Sequence, residues 1–114
     1  MIYLATPYSH SDPEVREFRF REVSRYAAIL MNMGRYVYSP ISHSHPIATY
    51  GELPTNWEFW HSHDENMMNY CSELHILCLD GWDESVGVKH EIELANERDM
   101  KIEYKDELSL VFTN

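Results

Sequence analysis

The chain has 114 residues, 44% of them hydrophobic, which is enough for one core and leaves no room for a second. Its formal net charge of −10 argues against a nucleic acid polymer as partner, because phosphate backbones are held by clustered lysine and arginine. No apolar run reaches the roughly 18 residues that a membrane span needs, so no membrane association is expected. Met1-Ile2-Tyr3-Leu4-Ala5 is too short and lacks the basic start of a signal peptide, and Cys71 and Cys78 cannot build a disulfide framework. A cytoplasmic chain is the expectation.

Ile2-Tyr3-Leu4-Ala5 reads as a first strand running into the polar loop Thr6-Pro7-Tyr8-Ser9-His10. Ser11-Asp12-Pro13-Glu14 carries the signals of a helix start: a capping residue, a proline in the first turn, then an acid at the positive end of the dipole. That helix should run to about Met33 and stop at Gly34. Val15, Phe18, Val23, Tyr26, Ala27 and Leu30 are expected to form its buried stripe, with Arg16, Arg19, Arg21, Glu22 and Arg25 on the remainder.

A second strand is expected over residues 35–40, stopped by Pro40, followed by a polar loop over 41–46 and a stretch over 47–53 without a clear signal. Pro54-Thr55-Asn56 opens another helix, bearing Trp57, Phe59, Trp60, His63, Asp64 and Met67 and reaching to Cys71. Leu74, Ile76, Leu77, Cys78 and Leu79 form a nearly unbroken apolar run, as a strand covered on both faces requires. It ends at the turn signal Asp80-Gly81, and Ser85-Val86-Gly87-Val88 then opens a helix that carries Glu91. Residues 101–104 read as a last strand, and the tail to Asn114 is weakly specified. The alternation βαβαβαβ predicts an α/β, doubly wound, flavodoxin- or Rossmann-like sheet of four to five mainly parallel strands with helices on both faces. The whole chain, 1–114, is expected to be a single domain.

In such sheets ligands bind outside the carboxyl ends of the strands, where helix N-termini hold anions. Ser85, Gly87 and Glu91 fall there by sequence position. Glu91 could serve as nucleophile or base, against the alternative of a solvated helix glutamate, which is the reading given to Glu84, Glu93 and Glu97. Ser85 could present its hydroxyl to a phosphate or simply cap the helix. Asp64, on a different helix, could complete a pair of carboxylates with divided roles. Tyr3 could donate a hydrogen bond to a catalytic carboxylate or be an ordinary buried strand tyrosine. Trp57, Phe59 and Trp60 could pack, or one could stack on a nucleobase. His43-Ser44-His45 and His61-Ser62-His63 suggest metal ligands, but His61 and His63 diverge on a helix and no cysteine pair or HExxH motif supports them. No metal is expected; loop histidines that hydrogen-bond a ligand are the preferred reading.

Ser85-Val86-Gly87-Val88-Lys89-His90-Glu91 resembles the corner of the nucleoside 2-deoxyribosyltransferase superfamily, whose pattern is Ser/Asp-x-Gly-x-Gly-x-Glu. Within it the chain is most similar to the 2′-deoxynucleoside 5′-phosphate N-hydrolases. It also resembles small phage and bacterial domains with IYLA-x-PYSH near the start and SPI-x-HSHPIA in the middle, so the resemblance covers almost the whole chain. It implies Glu91 as nucleophile, Tyr3 as the strand tyrosine that holds it, and Asp64 as the helix aspartate, with Glu65 as the alternative alignment. Ser85 stands where the nucleotide hydrolases carry a phosphate-binding serine. Gly87, Thr6, Ser9, His43, His45, Trp57 and an arginine of the first helix complete the implied substrate contacts. Lys89 replaces the second glycine of the corner, and Glu93 stands two residues after the nucleophile, where the family has glycine.

The implied activity is N-glycosidic cleavage of a (deoxy)nucleoside 5′-monophosphate through a covalent glycosyl-enzyme, with no metal or organic cofactor. Base exchange on a nucleoside, a non-catalytic nucleotide-sensing domain, and a metal-dependent hydrolase built on the histidines are the alternatives. A homodimer or higher homo-oligomer is also implied.

Overall fold

The computed structural model describes residues 1–106. The weakly specified tail lies outside them, except for its start. Four strands, β1 (Ile2–Ala5), β2 (Val37–Tyr38), β3 (Glu73–Leu77) and β4 (Lys101–Lys105), form one sheet in the order β2-β1-β3-β4. Every pairing is parallel: Tyr3 lies opposite Tyr38 on one side and Leu74 on the other, and His75 lies opposite Glu103. This is a doubly wound, Rossmann-like arrangement. The chain leaves β1 in one direction to build β2 and in the other to build β3, so the topological switch point falls between β1 and β3.

The alternation of side chains along the central strands assigns a core to each face. Ile2, Leu4 and Leu77 meet Val23, Tyr26, Ala27 and Leu30 of α1 (Pro13–Asn32). Tyr3, Ala5, Leu74 and Ile76 meet Met68 of α3 (Trp57–Met68) and Val88 and Ala95 of α4 (Val86–Glu97). Each fully buried Leu or Ile contributes about 1.5–3 kcal/mol, and because both faces are covered the strand sequences are almost continuously apolar. The exception on β3 is His75, which is 2% exposed and held between Glu73 (3.0 Å) and Glu103 (2.7 Å). β4 is an edge strand, and its charged residues Lys101, Glu103 and Lys105 discourage pairing with another chain.

α1 starts where its signals place it. Asp12 caps it by accepting from the Glu14 N–H (2.9 Å), and the chain turns away at Gly34 with φ +85°. Its buried stripe differs from expectation at three residues. Val15 is only half-buried, Phe18 is 40% exposed, and Glu22 is buried, with Arg25 paired to it at 2.9 Å. Arg19 also does more than decorate the helix. Its guanidinium donates to the Ser9 carbonyl (3.2 Å) and the Asp80 carbonyl (3.0 Å), which ties the loop after β1 to the loop after β3. Gly81, at φ +90°, gives that guanidinium room: a Cβ there would lie 2.9 Å from Arg19 Nη2.

The largest correction concerns residues 40–51. The expected polar loop and unassigned stretch are a helix, α2 (Pro40–Gly51). Pro40 does not end the chain's regular structure but occupies the first helical turn, where its missing N–H costs nothing, and Ser39 caps the helix by accepting from the Ser42 N–H. Pro46 removes one interior hydrogen bond, and the helix tolerates this because Ser44 and Ala48 are buried. β2 is correspondingly only Val37–Tyr38. Smaller corrections are that α3 ends at Met68, before Cys71, and that β3 ends at Leu77, before Cys78. A short helical turn, Trp82–Glu84, leads from Gly81 into α4. Among the described residues, no helix is long and apolar enough to cross a membrane.

Candidate active site

A crevice of about 380 Å³ opens beside the carboxyl ends of β1 and β3, lined by parts of α2, α3 and α4 and by the loop after β1. Helical spacing sets its lining. On α3, Trp57, His61, Asp64 and Met68 recur every three or four residues, and on α4, Gly87, Glu91 and Leu94 do the same. Ile41, Ser44 and Ala48 of α2 close another side, so the helix that the sequence hid contributes to the site.

The chemistry gathers around Tyr3, Asp64 and Glu91. Tyr3 on β1 is fully buried, and its hydroxyl lies against the Glu91 carboxyl, close enough to interact but outside full hydrogen-bond geometry. Burial pushes Glu91 up to about 8, Tyr3 works against that rise, and the nearby Asp64 adds to it. Asp64 is itself pushed up to about 7 by burial. Tyr3 is held well above the usual phenol range by burial first and by the two carboxylates next. Tyr38, paired in register with Tyr3 and 5.8 Å from it ring to ring, is raised by burial and then by Asp64. The hydroxyls of Tyr3 and Tyr38 and Oδ1 of Asp64 are buried without a hydrogen-bond partner among the described residues. Unpartnered buried polar atoms are costly in a merely structural core and are expected where a substrate or water completes the set.

Other predicted residues line the crevice in supporting positions. Ser85 caps α4, its Oγ accepting from the Val88 N–H (3.2 Å). Gly87 follows, and a Cβ there would make only ordinary contacts, with Trp57 Cδ1 at 3.6 Å and Ser85 Oγ at 3.9 Å. Thr6 is buried and donates to the Leu77 carbonyl (2.9 Å), and Ser9 donates to the Thr55 carbonyl (3.3 Å). Trp57 lies beside the crevice, not in the core. His43 and His45 fall outside the lining. His43 stacks on His63 at 5.4 Å, while His45 is engaged at both nitrogens, by Tyr8 (2.5 Å) and Glu17 (2.8 Å). No arginine of α1 reaches the lining.

Asp64 and Glu65, the two alternatives for the helix carboxylate, occupy different settings. Asp64 faces Glu91 and the tyrosines, whereas Glu65 accepts a hydrogen bond from His90 and lies 3.8 Å from His61. The His90 bond is the main reason that Glu65 is held below the ordinary carboxylate range. Sequence reasoning missed Tyr38 and His90. Tyr38 gave no sign of which sheet face it would occupy; His90, next to Glu91, was identifiable only as a neighbour.

Fold and site together define an α/β domain with an acidic crevice at its switch point, built around a carboxylate pair, with the buried hydroxyls of Tyr3 and Tyr38 beside it. The chain belongs to the family described as Domain of unknown function (DUF1937), which it matches over residues 1–106. Comparison with curated proteins gives no match.

Proposed function

We propose that this domain is an N-glycosidase that cleaves the bond between base and sugar in a nucleoside 5′-monophosphate. The observation that carries the reading is the convergence of Glu91, Asp64 and Tyr3 from three elements on one crevice at the switch point. Glu91 attacks C1′ of the sugar, the C1′–N bond breaks, and Asp64 delivers a proton to the departing base. Water, deprotonated by Asp64, then attacks C1′ and releases Glu91, which is the retaining two-carboxylate scheme applied to an N-glycoside. Tyr3 orients Glu91. The 5′-phosphate sits at the start of α4, against the Ser85 hydroxyl and the backbone N–H groups beside Gly87. The resemblance to the nucleoside 2-deoxyribosyltransferase superfamily supports the same assignment.

A specific observation favours a second reading, base exchange on an uncharged nucleoside. Among the described residues the crevice lining contains neither lysine nor arginine, so a dianionic phosphate finds no cationic side chain there. Incubation with a panel of nucleoside 5′-monophosphates and nucleosides, with and without a second free base, separates these outcomes by mass spectrometry. Free base from a nucleotide in water supports hydrolysis, and a new nucleoside formed only with added base supports exchange. No base release from any member would overturn the enzymatic reading in favour of a binding domain, and release undiminished in Glu91→Gln would overturn Glu91 as the nucleophile. We place the protein in the cytoplasm and as a homo-oligomer, for which the exposed Tyr36, Tyr50 and Tyr70 offer apolar surface. Sedimentation tests the latter.

A further inference from the structure

Beside the carboxylate pair the same crevice holds a second constellation. His61 and Glu65 are one turn apart on α3, and His90 reaches Glu65 from α4, so His61 Nδ1, Glu65 Oε1 and His90 Nε2 all lie within 4.8 Å of one another. One oxygen, Glu65 Oε1, faces both imidazoles. Trp57 fixes the rings: it stacks on His61 at 4.5 Å and 20° and meets His90 edge-on at 5.2 Å and 80°. All three residues are partly exposed and line the crevice.

We propose that His61, Glu65 and His90 bind a divalent transition-metal ion, of the zinc class, with an open coordination position facing the crevice. Two imidazoles and one carboxylate, with a position left for solvent or ligand, are a donor set suited to that class of ion and not to magnesium or calcium. Bringing the imidazole and carboxylate of His90 and Glu65 around an ion requires only a small outward shift of side chains that already converge. A charge argument points the same way. The lining carries Glu58, Asp64, Glu65, Glu84 and Glu91 against no lysine or arginine, so a bound dication is the available source of positive charge for an anionic ligand. The metal site itself does not depend on the glycosidase reading.

The second cluster of this kind, Glu73, His75 and Glu103, carries no such inference. Arg35 pairs with Glu73 at 2.7 Å and Lys105 lies 3.7 Å from Glu103, so cations already occupy its carboxylates. It serves as the internal control. His61 and His63 point to different neighbours, which is why the His-Ser-His spacing misleads and the true companions of His61 lie at 65 and 90.

Protein purified without a histidine tag and stripped with chelator should take up one equivalent of Zn²⁺ in a calorimetric titration. Glu65→Gln, His61→Ala and His90→Ala should each weaken uptake by at least about tenfold, while Glu103→Gln should not. Circular dichroism identifies any variant that has failed to fold, and the two α3 variants, at partly exposed positions, decide the matter if His90→Ala does. With Co²⁺ in place of Zn²⁺, the visible bands should report nitrogen and oxygen ligands and shift when inorganic phosphate is added. No uptake by the parent protein, or uptake unchanged in the folded variants, overturns the site. Cobalt bands indifferent to phosphate overturn its open position. None of these readouts requires turnover, so a failure of the glycosidase reading remains distinguishable.

Discussion

Asp64, reaching the crevice from α3, makes Glu91 on α4 harder to ionise. Burial does most of this to both groups, and the proximity of a second carboxylate adds to it at Glu91. A crevice that conserved stability alone would not hold two carboxyls in this setting with one oxygen unpartnered. The relationship has a thermodynamic consequence that is independent of any substrate.

Both groups hold their protons to higher pH in the folded chain, about 7 for Asp64 and about 8 for Glu91, than a carboxyl does in an unfolded one. The native state therefore binds more protons than the unfolded state between about pH 4 and 8, and stability must fall as pH rises through that window. The part of the stability that is fully present below the unfolded values is lost as pH passes the folded ones. Stability from urea unfolding with chelator present should decline by about 3 kcal/mol for each of the two carboxyls between about pH 5 and 8. Asp64→Asn or Glu91→Gln should each flatten the decline and raise stability at the alkaline end. A midpoint that rises with pH across this range would show that the two carboxyls are ionised in the native state.

Arg19 and Gly81 make a second test, of the frame that holds the crevice. The +90° φ of Gly81 disfavours any side chain, and a Cβ there meets the Arg19 guanidinium. Gly81→Ala should therefore cost about 1–2 kcal/mol. Arg19→Ala removes the donor shared by the Ser9 and Asp80 carbonyls and should cost a similar amount, about 1–2 kcal/mol. Because the alanine methyl at 81 would press on the side chain that Arg19→Ala removes, the double variant should lose less than the sum. Strict additivity in denaturant unfolding would mean that the two loops are not coupled through Arg19.

Much of this frame was legible in the sequence because its signals are local. Asp12-Pro13, Gly34, Asp80-Gly81 and Ser85 each mark a helix or turn boundary by their own backbone chemistry, and the apolar run from Leu74 suits a strand covered on both faces. The helix Pro40–Gly51 was not legible because Pro46 reads as a breaker, and the burial of Pro40, Ser44 and Ala48 against the rest of the fold, which offsets it, is not a local signal. Glu91, Asp64 and Tyr3 could be nominated by position and resemblance. Tyr38 could not, since a two-residue strand carries too little alternation to reveal which face a side chain takes. The companionship of His61, Glu65 and His90 is a property of how α3 packs on α4, and no spacing within either segment encodes it.

Ser85 separates a cap from a ligand contact. Its Oγ accepts from the Val88 N–H, so Ser85→Ala should cost about 0.5–2 kcal/mol of stability whatever the function. If the same hydroxyl also donates to a 5′-phosphate, binding of the nucleoside monophosphate should weaken by roughly ten- to a hundredfold while binding of the free nucleoside barely changes. Equal affinity losses for both ligands in calorimetric titrations would reduce Ser85 to a helix cap.

Asp64→Asn tests whether the two carboxyls cooperate or merely share a crevice. The substitution keeps the shape and the hydrogen-bonding capacity of the side chain and removes its ability to give and take a proton. A natural purine or pyrimidine leaves as a poor anion unless it is protonated or strongly hydrogen-bonded, so its release should slow severely. A nitrophenyl glycoside accepted by the crevice needs no proton on its leaving group, and its cleavage by Glu91 should be much less affected. General acid assistance is worth about 10²–10⁴-fold, and the difference between the two substrate types should be of that order. The burial that raises Asp64 to about 7 keeps a share of it protonated for donation at neutral pH, and Glu91, raised to about 8, must give up its own proton before it attacks. A small and equal loss on both substrates would instead make Asp64 a positioning residue.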